Sequence, residues 1–199
     1  MNAVFRSLSF LSLIILLLAS IRSIADPYLG LAIGVSAADE VCEETPGINV
    51  YDCEGSTTGR KLFGGIRVHK YAAVEASYMD MGELAKTIDT TRITAESTGT
   101  NFSIVGIYPI GDYQADSFLN LELFGKLGLL LWDTTVINHA SGASSDDDGT
   151  DLSYGIGASV GGEKLFLTLE FEVLNEINGE YSPGGSTLTY GSIGAAYKF

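Results

Sequence analysis

The sequence predicts an all-β fold: an eight-stranded antiparallel up-and-down barrel that crosses a membrane with its strands. Three observations carry that expectation. Apolar and polar residues alternate with period two in segments of about ten residues, the pattern of a strand with one face in lipid and one in a lumen. The connections between those segments run alternately long and short. After residue 25, no apolar run reaches the ~20 residues that a membrane helix needs. A chain that meets lipid without helices must close its sheet, because hydrocarbon offers nothing to the N–H and C=O groups of an open edge.

Residues 1–25 read as a secretory signal peptide. Arg6 supplies the positive end, residues 8–19 (LSFLSLIILLLA) form an uncharged apolar stretch, and Ser23-Ile24-Ala25 places small residues where a signal peptidase reads. Asp26 is then the mature N-terminus. As a membrane anchor the apolar run is short, and Arg22 closes it. Residues 26–199 are expected to form one barrel domain. The formal net charge is −14, and the signal holds Arg6 and Arg22 but no acid, so the rest of the chain is more acidic still. That balance excludes nucleic acid as a partner, since phosphates would go unneutralised. A Gly-rich, Tyr-rich, acidic chain with positive mean hydropathy suits a barrel with an apolar outside and wet loops.

The strands follow in order. Leu29, Leu31, Ile33 and Val35 alternate with Gly30, Ala32, Gly34 and Ser36. Leu62, Ile66 and Val68 alternate with Lys61, Phe63, Gly65 and Arg67. Val74, Ala76 and Tyr78 alternate with Glu75, Ser77 and Met79. A weaker segment covers 101–108. The clearest covers 117–132, where Leu119, Leu121, Leu123, Leu127, Leu129 and Leu131 share one face. Asn120, Glu122, Phe124, Lys126, Gly128 and Trp132 share the other. Leu152, Tyr154, Ile156, Ala158 and Val160 alternate with Ser153, Gly155, Gly157 and Ser159. Leu165, Leu167, Leu169, Phe171 and Val173 alternate with Thr168, Glu170 and Glu172, and a last segment covers 187–199. Long connections are expected at 37–58, 83–97, 133–150 and 175–185, and shorter ones at 69–71, 109–116 and 161–164. Long external loops, short periplasmic turns and termini inside match that rhythm. Pro27, Pro46, Pro109 and Pro183 all fall at expected strand ends or in loops, where a missing N–H breaks no ladder bond.

Cys42 and Cys53 lie in the first long loop of an exported chain, with Pro46-Gly47 between them, so a local disulfide is expected. A metal site is the rival, but two thiolates without a nearby His make a poor zinc set. At the C-terminus, Ile193, Ala195, Tyr197 and Phe199 share a face at period two. A final aromatic strand of this kind looks like the signal read by the outer-membrane assembly machinery.

Residues 63–82 (FGGIRVHKYAAVEASYMDMG) resemble the second and third strands of the OmpA-like eight-stranded outer-membrane β-barrel family. There a glycine-bearing strand passes through a tight turn with an aromatic into a V-E-x-x-Y strand. Residues 121–128 (LELFGKLG) resemble that family's fifth strand, 148–160 (DGTDLSYGIGASV) its sixth and 190–199 its closing strand. The resemblance implies the transmembrane domain alone. No periplasmic domain follows Phe199, so the cell-wall tethering of two-domain members is not carried over.

If the alternation is read correctly, Lys61, Arg67, Glu75, Glu122, Lys126, Glu170 and Glu172 point into the barrel. Charges buried there must be paired, and eight strands leave an interior just wide enough for side chains to fill. The network reads either as a salt-bridged plug or as a gated ion path. Catalysis has little footing. His139-Ala140-Ser141 has the His-x-Ser spacing of outer-membrane lipid A deacylase barrels, but neither an orienting acid nor an oxyanion donor can be assigned. Asp146-Asp147-Asp148 with Asp151 does not have the spacing of a calcium loop and reads as a solvated acidic tip. Gly155-Ile156-Gly157 lacks the βαβ unit of a dinucleotide site. No enzyme activity, metal or cofactor is expected.

The sequence thus predicts an integral protein of the Gram-negative outer membrane with a mainly structural and surface-interaction role. Its expected partners are outer-membrane lipid, the assembly machinery during biogenesis, and a host or surface ligand met through the external loops. A small porin-like ion channel is one alternative. The other is a soluble periplasmic barrel binding an apolar ligand, which requires the Leu faces to point inward.

Overall fold

The computed structural model describes residues 26–38, 42, 50–88, 91–110, 120–177 and 186–199. The signal peptide, Leu119, Pro46 and Pro183 lie outside them. Nine strands follow in chain order: β1 (Asp26–Ala37), β2 (Val50–Glu54), β3 (Ser56–His69), β4 (Ala72–Ile88), β5 (Thr91–Ile110), β6 (Asn120–Asn138), β7 (Ala143–Gly161), β8 (Leu165–Ile177) and β9 (Ser186–Lys198). Eight of them close an antiparallel barrel in sequence order. Leu31 of β1 faces Leu62 of β3 on one side and Ala195 of β9 on the other, which shuts the ring. The short β2 stands outside it and, among the described residues, pairs with the far end of β4.

The alternation sets each face as the period of two dictates. Leu31, Ile104 and Ile156 are 66%, 68% and 69% exposed on the outside. Leu121, Leu123, Leu127, Leu129 and Leu131 form an outward row on β6, while Glu122, Lys126 and Trp132 are buried inside. The soluble barrel with an apolar interior is therefore overturned: its Leu faces point out.

Two of the expected long loops are strands instead. β4 and β5 run on to Ile88 and from Thr91, and β6 and β7 pair continuously from Asn120↔Gly161 to Asn138↔Ala143. The hydrophobic contrast that marks a membrane strand ends near Trp132, but the ladder bonds do not depend on it. Thr134, Thr135, Val136 and Ile137 are strand-favouring residues that continue the pairing. The turn between β6 and β7 is tight. Gly142 adopts φ +69°, its N–H donates to the Asn138 carbonyl, and the Asn138 side-chain oxygen accepts from the N–H groups of Ala140 and Ser141. In β4 the register shifts between Asp80 and Glu83, where Gly82 takes φ +78° and its N–H donates to Asp80 Oδ1. The left-handed backbone at both positions favours glycine.

Asp26, Phe199 and the turns at 69–71 and 162–164 lie at one end of the barrel. There the Phe199 N–H reaches the Pro27 carbonyl and the Lys198 N–H the Lys164 carbonyl. β2 and the β6–β7 turn lie at the other end.

Candidate functional site

The interior gathers buried titratable groups, and it has two tiers. The first is a charged belt. Lys61 on β3 reaches across the lumen to two glutamates of β8, bonding Glu172 and lying 3.0 Å from Glu170 Oε2. Lys126 on β6 is 2.6 Å from Glu75 Oε1 of β4 and 2.6 Å from the other oxygen of Glu170. Glu75 Oε2 accepts the Tyr28 hydroxyl at 2.8 Å. Two ammoniums thus meet three carboxylates, and Glu170 bridges both cations. Nearer the terminal end, Arg67 holds Glu122 with two parallel bonds, 3.0 and 2.6 Å long, the bidentate geometry that a guanidinium fork favours. Ser159 donates to the same carboxylate at 3.4 Å.

Aromatic rings pack around these charges. Lys126 Nζ lies 5.2 Å from the Phe124 ring centre and 5.8 Å from that of Phe63, within reach of a cation–π attraction. Tyr28 meets Phe63 and Phe166 edge to face at 6.4 and 5.8 Å. A Cβ at Gly157 would fall on the Phe124 ring, so glycine there is a matter of room. Between belt and terminal end lies a cavity of about 430 Å³, lined by Tyr28, Phe63, Arg67, Glu122, Phe166 and Lys198 among others.

The second tier is apolar. Met79, Met81, Leu84, Leu130, Trp132, Leu174, Leu188 and Tyr190 form a buried cluster on the far side of the belt. A polar tie holds it, the Trp132 Nε1–H donating to Asp151 Oδ2 at 2.6 Å.

The structure brings the seven sequence-selected charges to the inner face, Lys61, Lys126, Glu75, Glu170 and Glu172 in one cluster and Arg67 with Glu122. Cys42 and Cys53 form a disulfide with their Cα atoms 5.7 Å apart. Ile193, Ala195, Tyr197 and Phe199 line the outer face of the closing strand, with the Tyr197 and Phe199 rings edge to face at 5.3 Å. His139 and Ser141 sit in the β6–β7 turn, where the His139 ring bonds Thr94 and the Ser141 hydroxyl accepts the Ala143 N–H. Alternation along β7 splits the four aspartates, Asp146 and Asp148 to one face and Asp147 and Asp151 to the other. Sequence reasoning missed Tyr28 and the apolar tier. Tyr28 lies in the phase of Gly30 and Ala32, and Leu130 in the phase of Lys126, so the alternation itself carried both signals.

A family model described as the OmpA-like transmembrane domain matches residues 23–199. A comparison with curated proteins gave no match. Among solved structures, the attachment invasion locus protein Ail of Yersinia pestis, crystallised with the heparin analogue sucrose octasulfate, superposes with a TM-score of 0.55 at 13% identity. The match covers 88% of this chain and 99% of that one. Neisserial surface protein A gives 0.53 at 16% identity over 88% and 99% of the two chains. The outer membrane protein OprG of Pseudomonas aeruginosa gives 0.51 at 13% over 88% and 95%. At such identities these likenesses speak for the fold alone.

Proposed function

This chain belongs to the OmpA-like transmembrane-domain family of the outer membrane, and we propose that its role there is mainly structural, with surface interactions carried by its extracellular hairpins. The barrel is anchored by its lipid-facing ring and does not serve as a pore. The observation that carries this reading is the stacking of the two tiers. An ion entering from the periplasm would have to separate buried pairs such as Lys126–Glu75, each costly to break. It would then have to shed its water against Met79, Leu130 and Leu188. The small porin-like channel requires a passage through both tiers. No step of this role calls on enzymatic chemistry.

Ail was crystallised with the heparin analogue sucrose octasulfate, a polyanion. Here the β6–β7 hairpin carries Asp133, Asp146, Asp147 and Asp148, and its charge complements cationic partners instead. The purified protein in planar bilayers is expected to give no reproducible unitary conductance, and the β6–β7 turn to be cut by protease added to whole cells. Steady unitary steps would overturn the closed barrel. A turn that resists external protease while the barrel is inserted would overturn the surface role.

A further inference from the structure

On the terminal side of the charged belt the lumen keeps a cavity of about 430 Å³, a size within the range of small-molecule sites, roughly 300–1,000 Å³. Glu75, Lys126 and Glu170 of the belt bound its inner side, and Asp26, Gly162 and Phe199 border it toward the terminal end. One wall is aromatic. Tyr28 of β1 meets Phe63 of β3 and Phe166 of β8 edge to face. A Cβ at Gly65 would strike the Tyr28 ring, so the chain leaves room for it. Val105 and Ile107 of β5 add aliphatic surface.

The charges around these walls decide which guest fits. Glu122 is held by Arg67, and Glu75 and Glu170 are held by Lys126. Lys198 differs from these cations. It stands directly across from Tyr28 in the inward phase of Gly194 and Ala196, and its backbone N–H is fixed by the Lys164 carbonyl. Its ammonium lies 4.9 Å from the centre of the Phe166 ring. Among the described residues it has no carboxylate within ion-pair distance. Of the remaining acids in the lining, Asp26 and Glu163 are exposed at the rim, and neither reaches it. Lys126 in turn lies 5.8 Å from the Phe63 ring centre. A cationic guest would therefore meet rings that already face ammoniums, whereas an anionic guest would give Lys198 a counter-charge.

We propose that this cavity binds a small aromatic carboxylate, its carboxylate against the Lys198 ammonium and its ring among Tyr28, Phe63 and Phe166. An aromatic body suits the wall better than an acyl chain. Rings that meet edge to face or offset gain more than the area they bury, and three rings are already set to offer such contacts. The site lies at the end opposite the extracellular hairpins and goes beyond the surface role proposed above. Because the belt closes its inner side, the barrel holds this ligand and does not pass it on.

The test uses the full chain in phosphatidylcholine nanodiscs and equilibrium dialysis of 2-naphthoate, with empty nanodiscs subtracted to remove partition into lipid. Saturable one-to-one binding is expected. The neutral 2-naphthamide, equal in size, should bind at least tenfold more weakly to the same protein, and this comparison needs no variant. Lys198→Gln should weaken naphthoate at least fivefold. Ile107→Trp, which keeps Lys198 and fills the cavity, should remove the binding. No saturable binding, or equal affinity for the acid and the amide, overturns the site. So does a folded Ile107→Trp or Lys198→Gln protein that binds naphthoate as the parent does. Decanoate displacing naphthoate at equal or lower concentration would make an acyl carboxylate the preferred occupant and overturn the aromatic assignment.

Discussion

On the terminal side the lumen holds Lys61, Lys126, Glu75, Glu170 and Glu172, tied by contacts mostly of 2.6–3.0 Å; on the far side it holds Met79, Met81, Leu130, Leu174 and Leu188 in mutual van der Waals contact. Both tiers fill the same narrow cylinder and both are buried. They respond differently to damage. A buried ion-pair network is sensitive to the loss of any one partner, because the others keep their charge and lose their compensation. An apolar cluster loses only the contacts and transfer energy of the atoms removed, plus the cost of the void. The charged tier fixes which strands face which, since β3, β4, β6 and β8 each contribute a named partner. The apolar tier fills the lumen beside it.

The contrast can be broken most forcefully at Lys61. Lys61→Met leaves Glu172 without its cation and Glu170 with only Lys126, and removing one partner of a buried pair typically costs about 3–5 kcal/mol. Urea unfolding of the barrel in lipid vesicles reads this directly. Adding Glu172→Gln to that variant is expected to recover part of the loss, because one bare carboxylate is gone. If the double variant is no more stable than Lys61→Met alone, the belt is not a coupled network.

In the apolar tier, Leu130→Ala removes a fully buried side chain and is expected to cost roughly 2–4 kcal/mol. No second substitution among the charged residues should compensate it, which a double-mutant cycle with Lys61→Met checks: the two losses should add to within about 0.5 kcal/mol unless the tiers are in contact. A large coupling energy would merge the tiers into one unit.

The smallest effect is expected from the disulfide, which ties down β2 outside the barrel ring. Neither thiol should react with a labelling reagent until reductant is added, and the reduced protein should keep its unfolding midpoint within error. The loop-closure entropy of such a bridge, about 3 kcal/mol in the chain model, falls on the extracellular loop. A large drop in the midpoint would mean that the projecting sheet and the membrane ring unfold together.

Much of this was legible in the sequence because lipid imposes a strict rule. Every outward residue of the membrane ring must be apolar, so Leu121, Leu123, Leu127, Leu129 and Leu131 declare their face, and by exclusion Glu122 and Lys126 declare theirs. Outside the membrane the rule lapses. Over residues 135–148 neither face is fully buried, the apolar–polar contrast between alternate positions disappears, and a Ser/Gly/Asp-rich stretch that pairs as two strands looks like a loop. β2 was hidden for the same reason.

The sequence by itself determined the fold class, the order and number of the barrel strands, the outer and inner faces, and the residue types available to fill the lumen, since each follows from local periodicity. Only the tertiary structure decided which charges meet, because Lys61 and Glu172 lie on strands that never pair and come together only across a closed ring. It alone placed Leu130 with Leu174 and Leu188 in one buried cluster. Those outcomes depend on the register and curvature of the whole barrel, and no window of the sequence contains them.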